Sequence, residues 1–334
     1  MSTAFSMPAE WAPHRAVWTA WPYLESEWGD ALEGARTEVA ALCEAISGPG
    51  GEKVKLLVRA ADEAAVDRML GNKVERYAMK YGDIWTRDTA PVFVRNREGK
   101  QRAALFRFNG WGQKYVMEGD EKVARLIAGA ARVLIDEWPM VLEGGAIDAD
   151  GEGTLLTTLD CVLGANRNPG LARRAAEQLL SDALGVERVL WLEGCLANDH
   201  TDGHVDTLAR FVRPGVVACM EARTDDDPNR DTLAKIMSSL GALRDARGRR
   251  LDMMVTPSPG RILSGSGEVM AASYMNFYIA NRAVLVPMYE SRWDDEALAR
   301  IGELFPGRTA IGLPARSILH GGGAFHCITQ QEPA

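Results

Sequence analysis

Positive charge is the first thing this sequence is short of. Lys and Arg number 38 against 46 Asp and Glu, a formal charge of −8 with an isoelectric point near 5.3. The balance leaves no electrostatic footprint for nucleic acid or for an anionic membrane surface, and suits a cationic small molecule. Long hydrophobic runs are missing too: no segment offers the ~20 apolar residues that a membrane helix needs. The opening "MSTAFSMPAEWAPHRAVWTAWPY" has no uninterrupted apolar stretch of signal-peptide character. A cytoplasmic protein without a membrane partner is expected. Cysteine is sparse and unpatterned. Cys43, Cys161, Cys195, Cys219 and Cys327 are odd in number and show no C-x-x-C spacing, which argues against a disulfide framework and a structural zinc knuckle. Phosphate-loop, complete G-x-G-x-x-G and H-E-x-x-H motifs are absent as well. No cofactor or metal is implied, so the chemistry falls to side chains alone.

What the chain does have is ordinary globular composition. With 334 residues, 46% hydrophobic and 25% charged, it can bury a substantial core. No linker or low-complexity block divides it, so one domain over residues 1–334 is expected. Trp28, Leu32, Ala35, Val39, Leu42 and Ile46 recur at helical spacing, which predicts an amphipathic helix over 25–48 with Cys43 on or beside its buried side. Similar periodicity predicts helices over 61–70, 119–133, 170–185, 228–247 and 294–304. Between them, "KVKLLVRA", "GTLLTT", "RVLWL", "VVACME", "LDMMVTP", "NRAVLVPMY" and "RTAIGLP" read as strands. Several strands often separate one helix from the next, denser in β than simple strand–helix alternation. A repeated ββαβ-like unit fits better.

Polar residues gather at particular places. Near the C-terminus "LHGGGAFHCIT" sets Cys327 behind Gly321, Gly322 and Gly323, which permit close approach of backbone or ligand. The same segment also fits a buried thiol after a glycine turn. If "FHCIT" is a strand, His326 and Cys327 point to opposite faces. A histidine for the thiol is available in "NDHTDGHVDTLARF": with 203–207 extended, His204 and Asp206 share a face. A zinc site built from His200, His204 and an acid lacks a convincing third and fourth ligand. "GDIWTRDTAPVFV" places Trp85 and Asp88 just before a strand, and "MVLEGGAID" places Glu143 at a strand end. Together these suggest carboxylates collected at one rim.

The strings "MPAEW", "IWTRDTAP", "FNGWG", "LEGG", "GTLLTT", "NRNPG", "TDGHVD", "ARFVRPG", "SYMNFYIAN" and "GGGAFHCITQQ" stand in the order seen in the agmatine deiminase family. That family takes in the bacterial-type peptidylarginine deiminases and lies within the guanidino-group-modifying (pentein) superfamily. The resemblance runs from Met7 to Pro333. It implies a five-bladed α/β-propeller of ββαβ units, in agreement with the strand-rich reading. By position Cys327 resembles the family's nucleophile and His204 its general acid/base. Asp88 and Asp206 match the carboxylates that grip a guanidinium, Glu143 the acid that contacts histidine and substrate, and Trp85 an aromatic lining the pocket. Ala90 and Thr207 depart from the commoner Gly and Asn.

The implied activity is hydrolysis of agmatine to N-carbamoylputrescine and ammonia, a step toward putrescine. Agmatine carries an ammonium at its far end, for which Asp199 and Asp202 are the candidates, with Trp85 as the wall between and Gly322 and Gly323 clearing space. A peptidylarginine or free arginine substrate would instead call for a cation such as Arg107 or Arg167. An amidinotransferase, a non-catalytic guanidine binder and a zinc hydrolase are the other classes. The resemblance also implies a homodimer or higher homo-oligomer.

Overall fold

A computed structural model describes residues 4–334. Among these, sixteen strands sort into five small sheets that follow one another along the chain. The second sheet shows the rule: β4 (Val92–Arg95) pairs antiparallel with β5 (Gln101–Arg107), and β5 pairs parallel with β6 (Leu134–Val141) after the helix Asp120–Ala131. A hairpin needs only a short turn, whereas a parallel neighbour needs a crossover, and the helix supplies it.

The same unit recurs. β7 (Ile147–Ala149), β8 (Thr154–Thr158) and β9 (Arg188–Leu192) use the helix Arg173–Leu184. β10 (Ala209–Arg213), β11 (Val216–Glu221) and β12 (Asp252–Pro257) use Arg230–Ala242. β13 (Tyr278–Ile279), β14 (Ala283–Met288) and β15 (Thr309–Pro314) use Asp294–Leu304. The middle strands carry the apolar runs seen in the sequence, since a strand covered on both faces has no polar side to show.

The remaining sheet closes the ring. Its strands β1 (His14–Ala20), β2 (Lys53–Val58) and β3 (Glu75–Ala78) come from the start of the chain, while β16 (Gln330–Pro333) comes from the end and pairs antiparallel with β1. Glu332 anchors this seam from the inside: its Oε2 accepts from Lys55 Nζ at 2.7 Å and from Trp18 Nε1 at 3.0 Å, all buried. A buried, paired carboxylate at the junction ties the two ends by chemistry that exposed edges lack.

Three local expectations are corrected. The helix expected over 25–48 is interrupted: Glu25–Trp28 ends at Gly29, whose φ of 47° lies outside the helical region, and the long helix starts at Leu32 and runs to Ser47. "FHCIT" is a turn rather than a strand, and β16 starts only at Gln330. Residues 205–207 form a 3-10 turn, not an extended segment. In both motifs buried turn hydrogen bonds outcompete β pairing.

Candidate active site

The five edge strands β4, β7, β10, β13 and β16 are each preceded by a short turn: Thr86–Thr89, Gly144–Ala146, Val205–Thr207, Tyr274–Asn276 and residues 325–328. These turns pack on one another. Residues far apart in sequence thereby converge: Asp88, Glu143, His204, Asp206, Asn276 and Cys327.

Glycine makes the convergence possible. A Cβ on Gly145 would lie 2.5 Å from His204 Nδ1, 3.0 Å from Asp88 Oδ1 and 3.1 Å from Asp206 Oδ2. One on Gly323 would lie 2.7 Å from the Trp85 ring and 3.0 Å from Cys327 Sγ. Gly322, at φ 104°, also holds a conformation that side chains resist, and its Cβ would strike His200.

Cys327 Sγ donates toward Asp206 Oδ2 at 3.5 Å and receives Asn276 Nδ2 at 3.1 Å. Burial, then Asp206 and Asp88, push the thiol well above its ordinary value, while the Ala324 N–H and Asn276 pull the other way. A cation placed between Asp206 and Asp88 would remove much of that opposition.

His204 is fully buried, and neither ring nitrogen has a hydrogen-bond partner. Its Nδ1 lies 3.8 Å from Asp88 Oδ2. Burial disfavours the imidazolium, but Asp88, Glu143, Asp206 and Asp199 outweigh it and raise the pKa above the ordinary value. Asp88 is anchored by Gly145 N–H on Oδ1 at 2.8 Å and by Trp111 Nε1 on Oδ2 at 2.9 Å. Its carboxyl is raised by burial, pulled back by His204 and pushed up again by Asp206 and Glu143. Asp206 goes the other way: burial opposes its charge, yet His326, His204 and Arg210 hold it below the usual carboxylate range. Asp206 Oδ1 is buried without a partner. Three unsatisfied polar atoms in so small a space mark where a donor-rich ligand belongs.

Behind the site lies a network that the sequence did not reveal. His326 Nδ1 meets Asp206 Oδ2 at 2.7 Å and its Nε2 meets Glu10 Oε2 at 2.8 Å. Glu10 Oε2 also accepts from Arg87 at 3.3 Å and Arg210 at 2.9 Å. Arg210 continues to Asp148 at 3.1 Å. His326 and the thiol thus meet at one oxygen, Asp206 Oδ2, rather than diverging to opposite faces as a strand would have them, and the histidine acts on the carboxylate that the thiol touches.

A cavity of about 210 Å³ opens onto Cys327, lined by Glu27, Trp28, Asp83, Trp85, Asp88, Trp111, Tyr115, Met117, His200, Thr201, His320 and Gly321 through Gly323. Trp28 and Trp85 stack with ring centroids 6.1 Å apart at 18°. Asp83 joins them, accepting from Trp28 Nε1 at 3.0 Å and Trp85 Nε1 at 2.9 Å. Burial raises its carboxyl to about 6 against the pull of both indoles.

Asp199 and Asp202 are not among the lining residues. Asp199 caps its own loop, accepting from Thr201 N and Oγ1 and from Gly203 N. Asp202 accepts from Lys114, Asn166 and Arg167, which overcome burial and lower it to about 2. The carboxylates that do line the cavity are Glu27, Asp83 and Asp88. Arg167 is enclosed, donating to Glu143 Oε1 at 2.8 Å and to Asp202. Arg107 is exposed and, with Ala90, lines a second cavity that meets the first at Asp88. Thr207 Oγ1 donates to the His204 carbonyl at 2.9 Å. Among the described residues, the His, Cys, Asp and Glu group close enough to share an ion is Glu143, Cys161 and His204, without His200. The Arg167 guanidinium on Glu143 works against a dication there.

A ring of five ββαβ blades with a central cysteine, histidine and carboxylates has the fold of the guanidino-group-modifying enzymes. DDAH from Pseudomonas aeruginosa shares that fold at a TM-score of 0.51 and 13% identity, over 96% of this chain and 99% of its own. The chain belongs to the Porphyromonas-type peptidyl-arginine deiminase family, whose pattern matches residues 6–333. The agmatine deiminase of Ectopseudomonas mendocina is 38% identical over 99% of this chain and 96% of its own. The solved agmatine deiminase of Enterococcus faecalis superposes at a TM-score of 0.94 with 34% identity, covering 98% of this chain and 96% of its own.

Proposed function

We propose that this chain is an agmatine deiminase, hydrolysing agmatine to N-carbamoylputrescine and ammonia through a covalent intermediate on Cys327. The observation that carries the choice of substrate is the charge of the cavity. Its lining includes the carboxylates of Glu27, Asp83 and Asp88 and no Lys or Arg. A guanidinium at one end and an ammonium at the other suit such a lining, whereas the carboxylate of free arginine would enter without a partner. The stacked indoles of Trp28 and Trp85 suit the methylene chain and the cationic end. Substrate-bound agmatine deiminase from C. jejuni, similar to this chain at a TM-score of 0.90 and 27% identity over 99% of this chain and 97% of its own, supports the same reading.

The chemistry follows from the groups present. Asp88 and the free Oδ1 of Asp206 hold the guanidinium N–H groups, and the central carbon comes against Cys327. The thiolate adds to that carbon, and the tetrahedral adduct expels ammonia as His204 gives it a proton. An amidino-thioether remains. Water, deprotonated by His204, adds to the same carbon. As the hydroxyl proton passes to solvent, the adduct collapses to the ureido product and the thiolate, leaving His204 protonated for the next turnover. Glu143 sits beside His204 and shares in keeping it charged.

The five blades act as one catalytic domain in this reading, working as a homodimer or higher homo-oligomer. Four of the five cysteines are buried, all are free, and the mechanism needs one as a thiol, so the reducing cytosol is the compartment proposed. Among the described residues no helix is long and apolar enough to cross a membrane.

The test is ammonia and ureido-product formation from agmatine, arginine and a C-terminal-arginine peptide, with Cys327→Ser alongside. Turnover of agmatine that is lost in the variant supports the proposal. Turnover of arginine or the peptide in preference to agmatine overturns the substrate, and an active Cys327→Ser overturns the mechanism.

A further inference from the structure

Four of the five converging turns hold, or directly follow, a residue to which the deiminase reading gives a role; the fifth, Tyr274–Asn276, does neither. Yet Asn276 makes more contacts with the nucleophile's turn than any of the carboxylates does. Its Oδ1 accepts from the N–H groups of Ala324 and Cys327, both at 3.1 Å, and its carbonyl accepts from His326 N at 3.0 Å. Its Nδ2 donates to Cys327 Sγ at 3.1 Å. The orientation of the amide is settled by chemistry, because two N–H donors at one end require the oxygen there and leave the NH2 for the sulfur.

We infer that Asn276 is a catalytic residue, whose side-chain amide both fixes the turn of Cys327 and donates the hydrogen bond that stabilises its sulfur as a thiolate. The inference rests on Cys327 being the nucleophile and adds a group to which that mechanism assigns no part.

The charges around the sulfur show why a donor is needed. Asp206 lies at 3.5 Å and can only accept from a thiol, Asp88 adds a second negative charge, and burial removes water. Other titratable groups face this region as well: Tyr289, whose hydroxyl donates to the Ser273 carbonyl at 2.9 Å, His326, which meets the same Asp206 oxygen as the thiol, and His204, 3.8 Å from Asp88. Against these stand Asn276 Nδ2 and the Ala324 N–H. The sulfur bears negative charge twice in each turnover, before it attacks and again when it leaves. A neutral donor serves both moments, since it need not lose or gain a proton.

Asn276 is itself held in place. It is buried, Ser273 Oγ caps its turn by accepting from Met275 N at 3.1 Å, and the same hydroxyl donates to the Thr207 carbonyl at 2.7 Å. The amide is thereby fixed relative to the His204–Asp206 turn as well as to Cys327.

The isosteric change Asn276→Asp separates the two duties. An aspartate keeps an oxygen for the Ala324 and Cys327 N–H groups but sets a second acceptor, and a charge, against the sulfur. Asn276→Ala removes the donor without adding charge. In both variants and wild type, the rate of iodoacetamide alkylation of Cys327 is followed from pH 6 to pH 10 by peptide mass spectrometry, with Tm and agmatine kcat measured on the same samples. The alkylation midpoint is expected to rise from wild type to Asn276→Ala to Asn276→Asp. The last shift should be about 1–2 pH units, the size of a lost hydrogen bond to a charged group. The accompanying fall in kcat should be on the order of 100-fold. A purely structural role would leave Asn276→Ala with the wild-type midpoint, whereas the charge added in Asn276→Asp raises the midpoint whatever the role. Equal midpoints in wild type and Asn276→Ala, with Cys327→Ser inactive, would overturn the role of Asn276 alone. An active Cys327→Ser would overturn the nucleophile and this inference with it.

Discussion

His326 Nδ1 lies 2.7 Å from Asp206 Oδ2, so the histidine adjacent to Cys327 in sequence governs the carboxylate that would hold the substrate rather than the thiol beside it. Asp206 is held below the ordinary carboxylate range with this bond as the leading favourable cause. The sign follows directly. A lowered native pKa contributes stability that is present above the unfolded value of ~3.9 and is lost as the pH falls through the lower native value. His326→Asn should therefore lower stability at pH 7 by about 1–3 kcal/mol, the usual cost of leaving a buried hydrogen-bonding group without its partner. The difference should narrow as acid protonates Asp206. The acid limb of kcat/KM should move to higher pH. Tm against pH and a pH–rate profile check both.

Activation of the thiol by the substrate's charge gives a second expectation. Burial, Asp206 and Asp88 all push Cys327 upward, so alkylation of the free enzyme should be slow at pH 7 and quicken on the alkaline side. A small alkylguanidinium that binds the carboxylates but leaves the sulfur accessible should raise the pH 7 rate by on the order of 10-fold, since one unit of pKa is a factor of ten in thiolate. An unchanged rate with the cation bound would remove substrate-assisted activation.

Gly145 is where space is tightest. Gly145→Ala sets a methyl 2.5 Å from His204 Nδ1 with Asp88 and Asp206 just beyond it, and overpacking of this kind costs about 1–3 kcal/mol. Activity should suffer more than stability, because displacing the imidazole by about 1 Å can cost on the order of 100-fold in rate. Kinetics beside a Tm measurement decide between a displaced histidine and a protein that merely unfolds earlier.

Asp83 should set the pH dependence of substrate binding. Its carboxyl rises to about 6 and joins Trp28 to Trp85. As the pH falls through that value the carboxylate takes a proton and its negative charge disappears, so KM for agmatine should rise on the acid side with a smaller change in kcat. Asp83→Asn offers one oxygen where two indole N–H groups need acceptors, and should raise KM at pH 7 by about 10-fold, as a lost charged hydrogen bond implies. Its KM should then be flat across pH 5 to 7. A variant profile parallel to wild type would place the titration elsewhere.

Helices and middle strands were largely legible, because their signals are local. The 294–304 periodicity coincides with the observed helix, and "VVACME" with β11. The residue types of the site were legible for a related reason: a cysteine behind three glycines, H-x-D, an acid just before one strand and another at a strand end are unusual strings. Asn276 was hidden because an asparagine before a strand reads as an ordinary turn residue. Glu10 was hidden because nothing local explains a glutamate that meets Arg87, Arg210 and His326. Asp199 and Asp202 lie outside the cavity lining for the complementary reason, since proximity to His204 along the chain says little about which side of a turn a carboxylate faces.

The sequence by itself determined the repeating unit and the inventory of reactive groups, because hairpin, crossover helix and parallel strand are each encoded by short-range pattern. Only the tertiary structure decided what those groups do. Pairing of β1 with β16 brings the turns at 88, 143, 206, 276 and 327 around one centre. There, distances of a few ångströms and the exclusion of water turn ordinary carboxylates, a histidine and a thiol into an interacting set, and neither distance nor dielectric can be read from the order of residues along a chain.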